Sequence, residues 1–521
     1  MKFHIITLGC QMNYSDSARI RAVLTNCGFL YSETEEEADI IIFDTCSIKQ
    51  KAEDKITGRL KEIPKDKRIW ITGCMVQHNF RLSPLTKGGG EAGGSKPLSA
   101  FKRGNFIGSI KTVNPKVIGK TNEEIKELKS KKNADFSSSI FINHAYNPLF
   151  FELNKTYPHL ELFFRIDDTG FLPLMLQTLG YENIKINTEL FNEYEKIIPN
   201  EGASMNTHNK TAYIPISTGC NQFCAYCIVP FARGLERHFP AEQIINEAKQ
   251  HLKNGVKEIS LLGQIVNKHP DFVHILKEIL KLEGLEWLRY TSPYPTYYSE
   301  ELLQLHETEE KLCPHIHIPF QSGSTSVLKK MFRGYTAEQC YQFIDKIRAL
   351  KREISITTDM IIGFPDETEE EFEKSLQLVE YGKFDMVYMG IYSNRPGTFA
   401  DKKYTDNIPY EVKHQRRTKM NELLKNISTE NNQKELGTKI KMMINKIDKD
   451  GNLYGYTTNM KQVNVPLRLH SPGLEEDEGK PEGANFQPGD IIPIIITEAQ
   501  KFKLIGETIY YFSIGNLSSK K

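Results

Sequence analysis

The sequence predicts an α/β protein in three parts: an N-terminal parallel sheet, a central six-unit partial barrel and a small C-terminal antiparallel β-barrel. Three observations predict it. Strand-like and helix-like runs alternate over residues 1–75, six more such units follow over 212–434, and short strand-like runs broken by glycine, proline and charge fill 435–514. The length of 521 residues suits roughly two to four domains. Apolar residues make up 39% of the chain, enough to build cores and too many for a disordered protein. Lys and Arg number 67 against 66 Asp and Glu, a net charge of +1. That balance excludes a strongly basic coat or an acidic tail and leaves room for a local basic face.

In the first part, strands are expected at residues 3–8, 39–45 and 68–72, and helices at 16–27 and 50–63. This rhythm implies parallel strands joined by right-handed crossovers, a flavodoxin-like sheet. A cysteine follows each strand at once, in Leu8-Gly9-Cys10, Asp44-Thr45-Cys46 and Thr72-Gly73-Cys74. An open parallel sheet binds its ligands beyond the carboxyl ends of its strands, so these three cysteines should converge at one rim. The plainer alternative is three small residues at strand ends; their shared position relative to the strands favours convergence. A strand at 160–166 and a helix at 171–179 complete the sheet, closing a first domain of residues 1–199. Within it the pattern breaks over about 79–148. Residues 81–104 hold six glycines with Pro84 and Pro97, and residues 102–132 carry nine Lys/Arg against three Glu. No core can be drawn through this stretch, which reads as a surface insertion, with an RNA-contacting arm as the alternative. Residues 200–209 read as a polar linker.

The second domain, 206–434, repeats the βα unit six times. Strands are expected at 212–217, 258–262, 287–291, 315–319, 354–362 and 386–392, and helices near 241–254, 272–281, 300–305, 337–350, 369–380 and 411–430. Six units make a partial TIM barrel, open on one side, with its active site on the loops after the strands. Such an opening admits a substrate larger than a metabolite. The third domain, 435–514, has short runs at 440–447, 452–457, 462–465, 491–497 and 504–511, a small antiparallel barrel. The stretch leading into it, 411–446, carries nine Lys/Arg against four Glu, which a solvated face explains as well as RNA does.

No run approaches the ~18 apolar residues of a membrane span, and the N-terminus lacks the features of a signal peptide; a cytoplasmic protein is expected. Nine cysteines, an odd number, in such a chain argue for ligands or catalysis rather than disulfides. Cys27 and Cys340 lie on apolar helix faces, and Cys313 precedes Pro314; all three read as core. The first barrel strand runs into Thr218-Gly219-Cys220-Asn221-Gln222-Phe223-Cys224-Ala225-Tyr226-Cys227. Three thiolates with no fourth cysteine or histidine at finger spacing are poor for structural zinc. They suit a [4Fe–4S] cluster with one iron left open to a small molecule. A non-catalytic iron–sulfur electron carrier is the rival reading, and a structural zinc protein a more distant one.

The C-x3-C-x2-C spacing of Cys220, Cys224 and Cys227, with Tyr226 before the last cysteine, resembles the signature of the radical S-adenosylmethionine (SAM) enzymes. Gly9-Cys10-Gln11-Met12-Asn13, Thr45-Cys46-Ser47-Ile48 and Gly73-Cys74-Met75 resemble the N-terminal domain of the methylthiotransferase branch, and the C-terminal barrel resembles its RNA-binding TRAM module. The resemblance implies two [4Fe–4S] clusters. Cys220, Cys224 and Cys227 would ligate the one that cleaves SAM to a 5′-deoxyadenosyl radical, and Cys10, Cys46 and Cys74 the auxiliary one. It further implies two SAM per turnover, tRNA as partner at its anticodon stem-loop, a reducing electron donor such as flavodoxin or ferredoxin, no membrane, and a monomer. Leu262-Gly263-Gln264-Ile265-Val266-Asn267, Thr291-Ser292-Pro293 and Tyr392-Ser393-Asn394-Arg395-Pro396-Gly397-Thr398 look most like the type that modifies C2 of N6-isopentenyladenosine. Threonylcarbamoyladenosine and a ribosomal-protein aspartate are the alternative substrates. Asp366 stands where the family has Gly after Gly363-Phe364-Pro365. Tyr226 would lie beside the adenine of SAM and Gly263-Gln264 at its methionine end. Gln321, Ser322 and Asp359 are further candidate partners, and Arg233 would face phosphate or the SAM carboxylate. His4, His315 and His317 read as structural.

Overall fold

A computed structural model of the chain describes residues 1–46, 56, 58–76, 153–190, 194–199, 210–466 and 486–509. The chain divides into two compact units, Met1–Met205 with Ile228–Glu236, and Asn206–Cys227 with Arg237–Lys521. The expected insertion at 79–148 and the linker at 200–209 lie outside the described residues.

The first unit is built on strands β1 (Lys2–Leu8), β2 (Leu30–Tyr31), β3 (Ile40–Thr45), β4 (Arg68–Gly73) and β5 (Leu160–Phe163). They form one parallel sheet in the order β2-β1-β3-β4-β5. Every residue of β3 is buried, as a parallel strand covered on both faces requires, and its Ile-Ile-Ile-Phe run supplies the apolar surface. Helix α1 (Gln11–Asn26) starts well before the expected residue 16. Its first turns carry Asn13, Ser15, Asp16 and Ser17, all buried, so an apolar period is legible only from Ile20 onward. Of the expected helix at 50–63, residues 58–62 are described and helical. β5 is shorter than expected, because a 3₁₀ turn takes over at Ile166–Phe171 before helix α2 (Leu172–Thr178).

The second unit opens with β6 (Thr211–Pro215), followed by the short antiparallel pair β7 (Ser217–Thr218) and β8 (Arg237–His238). Then come β9 (Glu258–Leu262), β10 (Trp287–Tyr290), β11 (His315–His317), β12 (Ser355–Ile362) and β13 (Met386–Ile391). Strands β10-β9-β6 form one parallel sheet and β11-β12-β13 another. A parallel bridge between Leu288 and Leu312 joins them, through Leu288 N–H to the Lys311 carbonyl (2.8 Å) and Cys313 N–H to the Leu288 carbonyl (3.0 Å). Among the described residues β6 and β13 do not pair, so the six strands form a barrel left open on one side. Helices such as Ala241–Lys253, Ala337–Arg348 and Glu369–Gly382 return the chain between strands. Cys313 and Cys340 are buried, as is Cys27 in the first unit.

Strands β14 (Lys439–Ile447), β15 (Leu453–Thr457), β16 (Gln462–Val465), β17 (Ile491–Ala499) and β18 (Lys503–Thr508) close a second, smaller barrel in the order β14-β15-β16-β18-β17. Its ladders are antiparallel except β16–β18, which is parallel. A buried ion pair fastens it to the central barrel. Arg289 Nε meets Glu258 Oε2 at 2.9 Å while Nη1 and Nη2 donate to the carbonyls of Thr458 (2.7 Å) and Thr457 (2.9 Å). The Tyr456 hydroxyl donates to Glu258 Oε1 at 2.8 Å, and Trp287, Cys313, Met443 and Tyr456 pack around the pair.

Candidate active site

Strand register builds the first of two cysteine sites, which lies in the first unit. Leu8, Thr45 and Gly73 lie side by side across β1, β3 and β4, so Cys46 and Cys74 emerge together at adjacent strand ends. Cys10 comes two residues after Leu8 and immediately precedes α1. Gly73 has φ +96°, and a Cβ there would stand 2.2 Å from the Thr45 carbonyl oxygen; only glycine permits the turn into Cys74. Burial pushes the Cys74 thiol up to about 12, with Arg233 opposing the shift and the fields of Cys46 and Cys10 adding to it. Cys46 and Cys10 thus lie close enough to Cys74 for their charges to act on it.

Beneath them lies a buried polar network. Residues 228–236, which begin directly after Cys227, pack with this unit. From their short helix α3 (Val229–Arg233), Arg233 donates Nε to Cys74 Sγ at 3.3 Å and Nη2 to Asp16 Oδ2 at 2.5 Å. Arg233 was expected to face phosphate or the SAM carboxylate; its guanidinium is held by Asp16 and the Cys74 sulfur. Tyr194 donates its hydroxyl to Asp16 Oδ1 at 2.5 Å. Asn13 receives the Cys10 N–H (3.2 Å) and donates to Asp44 Oδ1 (2.8 Å) and the Thr45 carbonyl (3.1 Å). Burial and the charge of Asp16 raise the Asp44 carboxyl to about 8. Asn13, Asp16 and Asp44 carried no expected role. The available signal was polar residues where the inner face of a helix or strand should be apolar.

The second site, in the second unit, is the cysteine loop after β7. Backbone bonds clamp it on two sides: Ala225 N–H to the Met331 carbonyl (3.0 Å), and Ala400 N–H to the Ala225 carbonyl (2.7 Å). Cys227 N–H closes a turn on the Cys224 carbonyl at 2.9 Å. Arg333, another residue without an expected role, donates Nη1 to Cys224 Sγ at 3.3 Å and Nη2 to the Pro319 carbonyl at 2.8 Å. Its guanidinium lies over the rings of Tyr294 and Tyr335. Tyr226 packs edge-on against Phe364, centroids 6.4 Å apart.

The other expected residues are placed unevenly. Gly263 directly follows β9, where a Cβ would crowd Ser217 Oγ at 2.7 Å, and Gln264 beside it is half-buried. Gln321 has φ 75° and exchanges backbone bonds with Asp359 and Ile361. Asp359 accepts from His317 Nε2 at 3.3 Å, and His317 also faces the ring of Tyr388. Ser322 is a correction: it is fully buried, its hydroxyl taken by Ser375 and the Ser324 N–H. Asp366, standing for the family's glycine, has φ 61° and pairs with the Asn407 amide through both backbone and carboxylate; a short polar side chain tolerates this left-handed position.

Both cysteine sets suit iron–sulfur clusters. Each offers three soft thiolates with a guanidinium on one sulfur, buried at Arg233 and half-buried at Arg333, to offset the negative charge. Among the described residues no three His, Cys, Asp or Glu side chains gather round one point as a mononuclear ion requires. A four-iron cluster takes each thiolate on a different iron and makes no such demand.

Comparison with known proteins follows these two sites. Residues 214–379 match the Radical SAM superfamily, and residues 2–83 match the Uncharacterized protein family UPF0004. A tRNA-2-methylthio-N(6)-dimethylallyladenosine synthase of Caldicellulosiruptor saccharolyticus is 33% identical over 479 residues, covering 89% of this chain and 86% of the relative. The protein of that description from Thermoanaerobacter sp. is 31% identical over 521 residues, covering 97% and 92%. Among solved structures, a radical S-adenosylmethionine methyltransferase of Kitasatospora setae aligns with 10% identity and a TM-score of 0.46 over 75% of this chain and 72% of that one.

Proposed function

The chain belongs to the tRNA-2-methylthio-N(6)-dimethylallyladenosine synthase family, and from that premise we propose that its two cysteine sets divide the work of methylthio transfer. It is a radical SAM methylthiotransferase acting on tRNA, with SAM and [4Fe–4S] clusters as cofactors. In our reading Cys220, Cys224 and Cys227 hold the cluster that meets SAM, and Cys10, Cys46 and Cys74 hold the one from which sulfur is delivered. Two SAM are used per turnover, and the product carries methylthio at C2 of N6-isopentenyladenosine. When bound, the first cluster supplies the electron that splits SAM into methionine and a 5′-deoxyadenosyl radical, able to take a C2 hydrogen that is not acidic. The chain's own residues position and compensate. The Met331 and Ala400 clamps fix the loop, Arg333 and Arg233 neutralise charge at Cys224 and Cys74, and Tyr226, Gly263, Gln264, Gln321 and Asp359 surround SAM. The electron comes from a carrier such as flavodoxin or ferredoxin, and the chain works as a monomer with domains at 1–199, 206–434 and 435–514. Among the described residues no helix is long and apolar enough to cross a membrane.

The observation that carries this reading is the pairing of three thiols at three adjacent parallel strand ends with a clamped C-x3-C-x2-C loop in one chain. It is tested by incubating the anaerobically reconstituted protein with dithionite, SAM and tRNA bearing isopentenyladenosine. The expected result is 2-methylthio nucleoside alongside 5′-deoxyadenosine. Deoxyadenosine without that nucleoside would move the substrate to threonylcarbamoyladenosine or a protein aspartate.

Arg233 gives a second expectation. With Cys220, Cys224 and Cys227 replaced by alanine, only the N-terminal cysteines remain to hold iron. In that background Arg233→Met should lower the iron-to-protein ratio and shift the cluster's reduction potential, and Arg233→Lys should restore part of both. Unchanged iron and potential in Arg233→Met would remove Arg233 from the cluster's surroundings.

A further inference from the structure

One exposed feature of the central unit takes no part in the chemistry described so far. The short helix Thr325–Lys330 ends in a Schellman turn, with Phe332 N–H bonded to the Lys329 carbonyl (3.1 Å) and Arg333 N–H to the Leu328 carbonyl (2.9 Å). The left-handed residue of that turn is normally glycine; here it is Phe332, at φ 60°, a conformation that bulky side chains avoid. Its ring is not tucked away but 40% exposed. It tilts against Phe399, also 40% exposed, with centroids 4.6 Å apart. Phe399 opens a second short helix, Phe399–Lys403. Each helix finishes on two lysines, Lys329 and Lys330 on one and Lys402 and Lys403 on the other. Arg333 points inward to Cys224, so the cations of this surface are the four lysines, of which Lys329, Lys402 and Lys403 are exposed. The nearby carboxylates are Asp366, paired with Lys330, and Asp401, held by Asn394 and the Gly397 N–H. These same two elements clamp the cysteine loop: Met331 and Ala400 bond the two sides of Ala225, and Arg333 touches Cys224.

The geometry points to Phe332 and Phe399, ringed by Lys329, Lys330, Lys402 and Lys403, as the docking surface for a small acidic one-electron carrier of the flavodoxin or ferredoxin class. The inference rests on the reading of Cys220, Cys224 and Cys227 as the SAM-cleaving site. Backbone capping alone would be better served by glycine at 332, so the aromatic side chain there serves the surface. An aromatic centre with a charged rim is the anatomy of a protein interface, and lysines opposite an acidic face speed encounter. RNA is less well matched, because the rings pack on one another instead of standing apart as platforms for bases. In the step itself the reduced carrier loses one electron and the cluster held by the cysteine loop gains it; no bond is made or broken. The carrier would dock against the segments that grip this loop, one hydrogen bond from Ala225.

The test compares two reductants on the reconstituted protein. Phe332→Gly, which suits the φ of that position, and the double variant Lys402→Glu with Lys403→Glu should cleave SAM with dithionite within about twofold of the parent. With reduced flavodoxin as donor, their rates should fall at least tenfold, in the range that electrostatic steering commands. Flavodoxin binding, read by fluorescence anisotropy, should weaken in parallel, and added salt should slow the parent's flavodoxin-driven rate but not its dithionite-driven one. Unchanged flavodoxin-driven rates in both variants would overturn the proposal. Weakened tRNA binding with unchanged flavodoxin kinetics would overturn it too and make the patch an RNA surface. Absence of dithionite-driven cleavage in the parent would instead overturn the assignment of the cysteine loop.

Discussion

Cys224→Ala is expected to bring SAM cleavage down to the level without protein, while Cys46→Ala still cleaves SAM yet forms no methylthio nucleoside. The contrast is the point. Cys224 lies in a loop whose shape is set by backbone bonds to Met331 and from Ala400, which alanine leaves intact, so loss of function would reflect the donor set and not the fold. Cys46 is buried at the end of β3, where losing one sulfur leaves a small void costing on the order of 1 kcal/mol. Both variants should therefore melt near the parent. Liquid chromatography with mass detection reads 5′-deoxyadenosine and the modified nucleoside from one reaction. Residual cleavage in Cys224→Ala would sink the first assignment, and normal product from Cys46→Ala the second.

Arg289→Met should destabilise the second unit by about 3–5 kcal/mol, the usual cost of breaking a buried ion pair from one side. It strands Glu258, whose side chain is 4% exposed, with the neutral hydroxyls of Tyr456 (2.8 Å) and Thr211 (3.4 Å) as donors in place of a cation. It also leaves the Thr458 carbonyl without the Arg289 donor, and the Thr457 carbonyl with the Met460 N–H alone of its two. Adding Glu258→Gln should recover a good part of the loss, because an uncharged amide no longer needs a cation. Urea unfolding checks both. A single variant within about 0.5 kcal/mol of the parent would mean the pair is not holding the two barrels together.

Much of the fold was legible because its strands are short, apolar and regularly spaced. β9 and β16 occupy the very residues expected, 258–262 and 462–465, since Lys257 and Gly263 bound the one run and Lys461 and Pro466 the other. Helix α1 was legible only in its second half. Its first turns face the network of Asp44 and Arg233, so they bury polar groups and break the apolar period on which the reading depends. The two-residue β2 is too brief to leave any pattern. At the site, the cysteines stood out through spacing and position after strands. Arg333 did not, because it approaches Cys224 across 109 residues of sequence, and nothing local in Met331-Phe332-Arg333-Gly334 announces a long-range partner. Arg233 was noticed, but its place in the chain after Cys227 says nothing of Asp16.

The attachment of the small barrel has a bearing on how such chains diverge. Arg289 grips it through the main-chain oxygens of residues 457 and 458, atoms every amino acid possesses. Substitutions at those two positions leave the acceptors in place as long as the hairpin keeps its path. Docking is thus written into backbone geometry on one side and into one arginine on the other. The outer surface of the small barrel is consequently free to drift without the central barrel having to change in step.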